Sequence, residues 1–123
     1  MKNSDIITLY ETLNRITEDK DLKFNVTIGY AMAKNKEALR EAVVIIYDKR
    51  REIIMEHGEA KDGEITVPKE YVEELNDKIN ELLNIDTPVD LIMLPVNTFD
   101  KYELNLEDME GIMHMIQPFN FTE

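Results

Sequence analysis

The spacing of hydrophobic and polar residues divides the chain into segments with two different periods. Residues 5–17 repeat apolar side chains every three or four positions, which predicts a helix. Residues 22–30 alternate strictly between apolar and polar types, which predicts a half-buried strand. The helical period returns over residues 32–57 and again over residues 68–84, with a short predicted strand at 64–67 between them.

The remaining pattern adds one strand and one helix. Residues 89–94 become apolar on both faces, which is typical of a strand buried on two sides. Asn105 is a suitable N-cap for a last helix that Pro118 ends, as Ser4 is for the first helix. The predicted fold is therefore α+β, in a single domain over residues 1–123. It combines a long helical hairpin (32–57 against 68–84) with a small β-sheet built from the three predicted strands, flanked by the terminal helices.

The helix predicted over residues 32–57 is longer than its hairpin partner, and its apolar stripe extends to both ends. The stripe includes Met32, Ile46 and Ile53, but also Arg50. A guanidinium group in such a stripe needs a carboxylate, from the same chain or from a second copy across a two-fold axis. We therefore expect a homodimer built on the long helix.

Residue types that support catalysis or metal binding are scarce. The chain contains no cysteine, two histidines without ligand spacing, and a single serine in a capping position. Its glycines are dispersed, and the loop predicted between Gly58 and Gly63 lacks the carboxylates of a calcium loop. We expect no enzyme activity, no cofactor and no metal.

The excess of negative over positive charge is confined to the second part of the chain. The net charge is −12, yet residues 1–57 carry ten acidic and ten basic side chains, which leaves the whole excess in residues 58–123. Such a field repels phosphate backbones, so we expect no direct nucleic-acid binding. The excess is either a solvated face or a surface that binds a basic protein. The candidate partner-binding carboxylates are Glu70, Glu73, Glu74 and Asp77.

Two further groups are candidates for contact. Two aromatic residues after Pro118 form either an exposed contact or a tail that folds back onto the core. A tyrosine at the end of the strand predicted over residues 22–30, and a basic run on the long helix, are the candidate ligand or interface residues, although pairing with nearby acids explains most of that basic charge. The aromatic pair is Phe119 and Phe121, and the second group is Tyr30, Lys49, Arg50 and Arg51.

The methionines near the end of the chain allow two interpretations. Met93, Met109, Met113 and Met115 could line an adaptable groove, because the methionine side chain is flexible and polarisable. Methionine also fills irregular gaps in protein cores, and the apolar stripe of the last helix favours this core interpretation.

Nothing in the pattern indicates a membrane segment or a leader. No apolar run approaches the roughly 20 residues that a membrane span needs. The first residues lead into an amphipathic stretch instead of the apolar core of a signal peptide. We expect a cytoplasmic protein without membrane association.

Several segments, in this order, resemble a group of short uncharacterised proteins encoded by phages and prophages of Gram-positive bacteria, known as a domain of unknown function. They are residues 28–35 (IGYAMAKN), 51–59 (REIIMEHGE), 61–65 (KDGEI), 81–86 (ELLNID) and 104–109 (LNLEDM). The resemblance brings no catalytic residues with it. It implies a phage setting and a protein that acts on virion assembly or on host machinery.

Taken with the charge distribution, the resemblance predicts a non-enzymatic accessory protein in the cytoplasm of a bacterial host. It would work by protein–protein contact, inhibiting a host defence or regulatory factor or assisting assembly. The expected partner is a host or phage protein with a basic surface. The alternative is a small-molecule-binding protein that sequesters a nucleotide-like signal at a subunit interface, where the basic run would hold it.

Overall fold

In the computed structural model, which describes residues 1–118, four α-helices and one small antiparallel sheet form an α+β fold, as predicted. Short 3₁₀ turns precede the third helix and follow the fourth. Phe119 and Phe121 lie outside the described residues, so the prediction for the aromatic tail stays a prediction. The elements are α1 (Asn3–Glu18), α2 (Val26–Met55), β1 (Glu59–Lys61), β2 (Glu64–Thr66), α3 (Val72–Leu83) and α4 (Leu106–Ile112).

The core lies between α1 and α2, which run antiparallel. Lys36 on α2 contacts Thr17 on α1 at 3.4 Å, and Tyr47 donates a hydrogen bond of 2.9 Å to the Glu11 carboxylate. Burial and this hydrogen bond raise the pKa of the Tyr47 phenol. The predicted apolar stripe of α1 is buried, and it packs on one side of α2, whose buried members are Ile28, Ala31, Met32, Leu39, Val43 and Ile46.

The predicted hairpin is confirmed, because α3 packs against the C-terminal part of α2. Lys78 on α3 binds Glu56 at 2.6 Å and Glu74 at 3.3 Å. The His57 ring stacks on Tyr71 with centroids 3.8 Å apart. α3 has no fully buried side chain, so this half of the hairpin is held by partly buried residues and surface pairs.

The strand predicted over residues 22–30 is wrong. The Asn25 side chain accepts a hydrogen bond of 2.9 Å from the backbone N–H of Ile28 and caps α2, which begins at Val26. Val26 is 89% exposed and Tyr30 61% exposed, so the alternation does not correspond to an inner and an outer face. A local cap has prevailed over β-propensity.

The strand predicted over residues 89–94 is also wrong, apart from an isolated parallel bridge between Leu94 and Ile116. The buried Asn35 side chain donates a hydrogen bond of 3.0 Å to the carbonyl of Ile92 and accepts one of 2.7 Å from its N–H. These backbone groups are therefore satisfied by a side chain and need no neighbouring strand.

The sheet is a hairpin at the surface, not a layer of the core. β1 and β2 pair in register from Glu59 with Thr66 to Lys61 with Glu64, and all six residues are exposed. The segment predicted as a loop thus contributes a strand. Asp62 and Gly63 at the turn have positive φ angles of 54° and 79°, as a two-residue type I′ turn requires.

The first helix begins without the predicted cap. α1 starts at Asn3, one residue before Ser4, and its N-cap position forms no side-chain hydrogen bond. The buried Asn3 side chain instead donates a hydrogen bond of 2.9 Å to the carbonyl of Leu82 and accepts one of 2.6 Å from Thr87. Asn3 therefore ties α1 to the end of α3.

The surface on which the predicted homodimer was based does not exist as a free surface. Met32 and Ile46 are buried inside the protein, and Ile53 is partly buried. Arg50 is exposed, so its guanidinium group needs no second copy to compensate it. The apolar stripe is covered by the chain itself.

Candidate protein-binding surface

An apolar groove of about 240 Å³ opens beside α4. Its outer edge is formed by side chains that remain well exposed: Met109 at 49%, Met113 at 56% and Val96 at 41%. Leu106 is 73% exposed and lies on the same face of α4, three and seven positions before the two methionines. We call this feature the acid-rimmed groove; its lining residues are Val96, Phe99, Asp100, Tyr102, Met109, Ile112, Met113 and Ile116.

Aromatic side chains form the floor of the acid-rimmed groove. Phe99 is buried and meets Phe24 edge to face at 6.1 Å, and Tyr102 lies 4.8 Å from Phe24 between ring centroids. The Tyr102 hydroxyl accepts a hydrogen bond of 3.3 Å from the backbone N–H of Asn25. The floor is thereby fixed to the start of α2.

Three contacts hold α4 in place under the groove. The Asn105 side chain accepts a hydrogen bond of 2.8 Å from the Asp108 N–H, which confirms the predicted N-cap. Arg15 on α1 binds the buried Asp108 carboxylate at 2.6 Å, and this hydrogen bond raises the pKa of Arg15. Gly111 lies so close to Thr12 on α1 that any added Cβ atom would overlap the threonine side chain.

Carboxylates are frequent in the segments that build the acid-rimmed groove, and one of them, Asp100, lines it directly. Residues 96–116 contain five acidic side chains and one lysine, Lys101. Of the five, only Asp108 is buried, and it is paired with Arg15. The exposed members are Asp100, Glu103, Glu107 and Glu110. An apolar floor with an acidic rim suits an apolar segment that carries basic residues.

The predicted acidic cluster lies on the surface of the other half of the chain. Glu70 belongs to the 3₁₀ turn before α3, and Glu73 and Asp77 follow at spacings that place all three on one exposed face. Glu74 differs, because it pairs with Lys78 and lies 3.8 Å from His57. Three of the four carboxylates are thus available to a partner, and the fourth supports the hairpin.

The candidate ligand residues on α2 do not come together within one chain. Tyr30 and Lys49 are both exposed, but at 1.5 Å per residue they lie about 28 Å apart along the helix. Lys49 pairs with Glu52 at 3.0 Å, whereas Arg50 and Arg51 extend into solvent. No phosphate-binding arrangement forms from them in the described chain.

The cleft beside α2 does not suit a nucleotide-like ligand. An open cleft of about 380 Å³ beside α2 is lined by Glu37, Glu41 and Asp90 with the single cation Lys34, so it repels phosphate groups. Within residues 1–118, no three histidine or carboxylate side chains are grouped closely enough to hold a metal ion. None of the helices in that range combines the length and the apolar character that crossing a bilayer requires.

The burial of the methionines was predicted correctly only in part. Met115 is buried in the core, as expected, but Met93, Met109 and Met113 are exposed. The periodicity of the last helix predicts which residues form its apolar stripe, but it does not predict which of them pack against α1. The Gly111 position is the signal that could have shown it, because a glycine within a helix often marks a close approach to another element.

Comparisons of the chain with protein-family models, with curated proteins and with solved structures find no match.

Proposed function

We propose that this chain is a non-enzymatic binding protein whose acid-rimmed groove captures a basic amphipathic segment of another protein. The observation that carries this proposal is the exposure of Met109 and Met113 over an aromatic floor, in segments rich in exposed carboxylates, of which Asp100 lines the groove. Methionine-lined surfaces adapt to different side chains, and an amphipathic helix binds such a groove with its apolar face. A partner's lysines and arginines would lie opposite the rim.

The size of the groove supports a protein partner over a small molecule. Its volume of about 240 Å³ is below the roughly 300–1,000 Å³ of typical ligand pockets. It has room for anchoring side chains of a partner, with the remaining contact area supplied by the surface of α4. The basic segment would belong to a host defence factor, a regulatory factor or an assembly component.

The biological setting in this proposal is a phage or prophage, acting in the cytoplasm of a bacterial host. It comes from the resemblance of the sequence segments to the phage and prophage group. Binding of a basic segment is compatible with either inhibition of a host factor or assistance in assembly, because both require recognition without chemistry.

A peptide titration tests the groove. The probes are a 20-residue amphipathic helical peptide of leucine and lysine and its counterpart of leucine and glutamate, each with a fluorescent label. We expect the basic peptide to bind with micromolar affinity and the acidic peptide to bind at least tenfold more weakly. Met109→Gln with Met113→Gln should weaken binding about tenfold, whereas Met55→Gln, at a methionine on α2 that is 40% exposed, should not. Equal binding by both peptides, or no loss in the groove variant, contradicts the proposal.

A second set of variants separates the groove rim from the acidic face of α3. We expect replacement of Glu103, Glu107 and Glu110 by glutamine to weaken binding of the basic peptide and to flatten its dependence on salt. At physiological ionic strength salt screens charge interactions over roughly 8 Å, so the carboxylates nearest to the bound peptide contribute most to its electrostatic attraction. Replacing Glu70, Glu73 and Asp77 by their amides should change the affinity less. The reverse order of effects would place the partner on α3.

A further inference from the structure

The solvent-facing side of α2 carries a second regular spacing beside the side that packs on α1, and Tyr47, at one end of it, also donates a hydrogen bond to Glu11 on α1. Exposed residues follow one another at alternating intervals of three and four positions, which is the spacing of a coiled-coil seam. We call this set the α2 seam; its central members are Tyr30, Ala33, Glu37, Arg40, Val44 and Tyr47. Tyr30 is 61% and Val44 51% exposed, so apolar surface remains uncovered along it.

The α2 seam is complementary to itself when a second copy runs antiparallel. A two-fold axis midway between Glu37 and Arg40 places Glu37 opposite Arg40 of the partner subunit, and Arg40 opposite Glu37 of the partner subunit. The same axis places Ala33 opposite Val44 of the partner subunit, and Tyr30 opposite Tyr47 of the partner subunit. Charge therefore meets opposite charge at the centre, and apolar side chains meet on both sides of it.

The residues beside the seam support the same register. Lys34 and Glu41 lie on one flank of the seam, and the two-fold axis brings Lys34 within about two residues of the level of Glu41 of the partner subunit, or about 3 Å along the axis. Within residues 1–118, Lys34 forms a salt bridge with Glu37, at 3.8 Å. A parallel pair would instead place every charged residue beside its own copy, which is repulsive.

We propose that two copies of this chain associate through the α2 seam as an antiparallel, two-fold symmetric dimer. In this register the two copies of α2 overlap over residues 26–51, which span about 39 Å, and a strip about 10 Å wide gives about 390 Å² per copy. That area is below the roughly 800 Å² per partner of a typical stable complex. The dimer is therefore a weak one, with a dissociation constant on the order of 10–100 μM.

Charge reversal tests the centre of the seam. In sedimentation equilibrium we expect Glu37→Arg to raise the dissociation constant at least tenfold, because it sets two cations opposite each other. Arg40→Glu should do the same. The double variant Glu37→Arg with Arg40→Glu restores opposite charges and should dimerise within about threefold of the wild type. Both positions are exposed, and circular dichroism checks that the helices are retained.

Disulfide trapping tests the orientation, since the chain has no cysteine of its own. We mix Ala33→Cys with Val44→Cys protein in the presence of oxidised glutathione. Rapid crosslinking between the two variants, with slow crosslinking of either variant alone, is the expected result. Preferential crosslinking of Ala33→Cys with itself would overturn the antiparallel arrangement. A wild-type chain that stays monomeric at 500 μM, or a double charge variant that fails to recover, would overturn the dimer.

Discussion

Residues 1–57 and residues 58–118 contribute to this protein in different ways. The first part is electrically neutral and supplies ten of the buried apolar side chains, whereas the second part supplies five and carries the negative charge. α1 and α2 supply most of a single hydrophobic core, which residues 94–116 complete, whereas α3 and the β-hairpin contribute no fully buried side chain. From this difference we expect stability to be concentrated in the first part, and the proposed function places binding of the basic segment in the second.

The largest expected effect lies in the α1–α2 core. We expect Leu9→Ala to lower the free energy of unfolding by about 2–5 kcal/mol, because a fully buried leucine leaves a cavity. Leu75→Ala on α3, where the side chain is only partly buried, should lower it by less than half as much. Urea denaturation of both variants measures this. Equal losses would mean that α3 contributes as much to stability as α1 does, which would contradict the expected concentration of stability in the first part.

The next effect concerns the connection between the parts. We expect Asn35→Leu to lower the free energy of unfolding by about 2–3 kcal/mol, because the N–H and carbonyl of Ile92 lose their partner. Amide hydrogen exchange at Ile92 should accelerate. The exposed Asn80→Leu on α3 is the control and should change stability by less than about 0.5 kcal/mol. An unchanged exchange rate at Ile92 would show that the segment is held by other contacts.

The smallest effect lies on the surface between α2 and α3. The hydrogen bond and charge of Lys78 hold the pKa of Glu56 below its ordinary value. A carboxylate whose pKa is depressed by folding stabilises the folded protein at pH values above its unfolded-state pKa. This stabilisation disappears as the pH falls through the folded-state pKa. We expect Lys78→Gln to lower Tm slightly at pH 7 and not at all at a pH below the pKa of Glu56. Lys69→Gln, at another exposed lysine, serves as the control. A Tm difference that persists in acid would contradict this assignment.

The helices could be predicted from the sequence because their signals are local. The stripes of α1 and α3 and the Asn105 cap depend on neighbouring residues, and each corresponds to a real element. The two wrong strands failed for different reasons. At Asn25, a capping side chain starts α2 within a pattern that alternates like a strand. At Ile92, the deciding partner is Asn35, 57 positions away, which no local pattern contains.

The candidate site was harder to predict than the fold. The acidic excess was visible in the sequence, and the exposure of Glu70, Glu73 and Asp77 agrees with it. The acid-rimmed groove depends on which face of α4 meets α1, and that is decided by tertiary contacts at Thr12 and Arg15. One local signal was available but unused, since Asp62-Gly63 between short alternating segments is typical of a β-hairpin turn.

The close approach of Gly111 to Thr12 also constrains how this chain can evolve. Any side chain at position 111 needs the space that the threonine occupies, so a substitution there becomes tolerable only after position 12 has lost volume. The order of the two changes is therefore fixed. Among descendants of this sequence, alanine or serine at 111 should be accompanied by glycine at 12, because the Cβ atom of position 12 alone would lie 2.8 Å from the added Cβ atom.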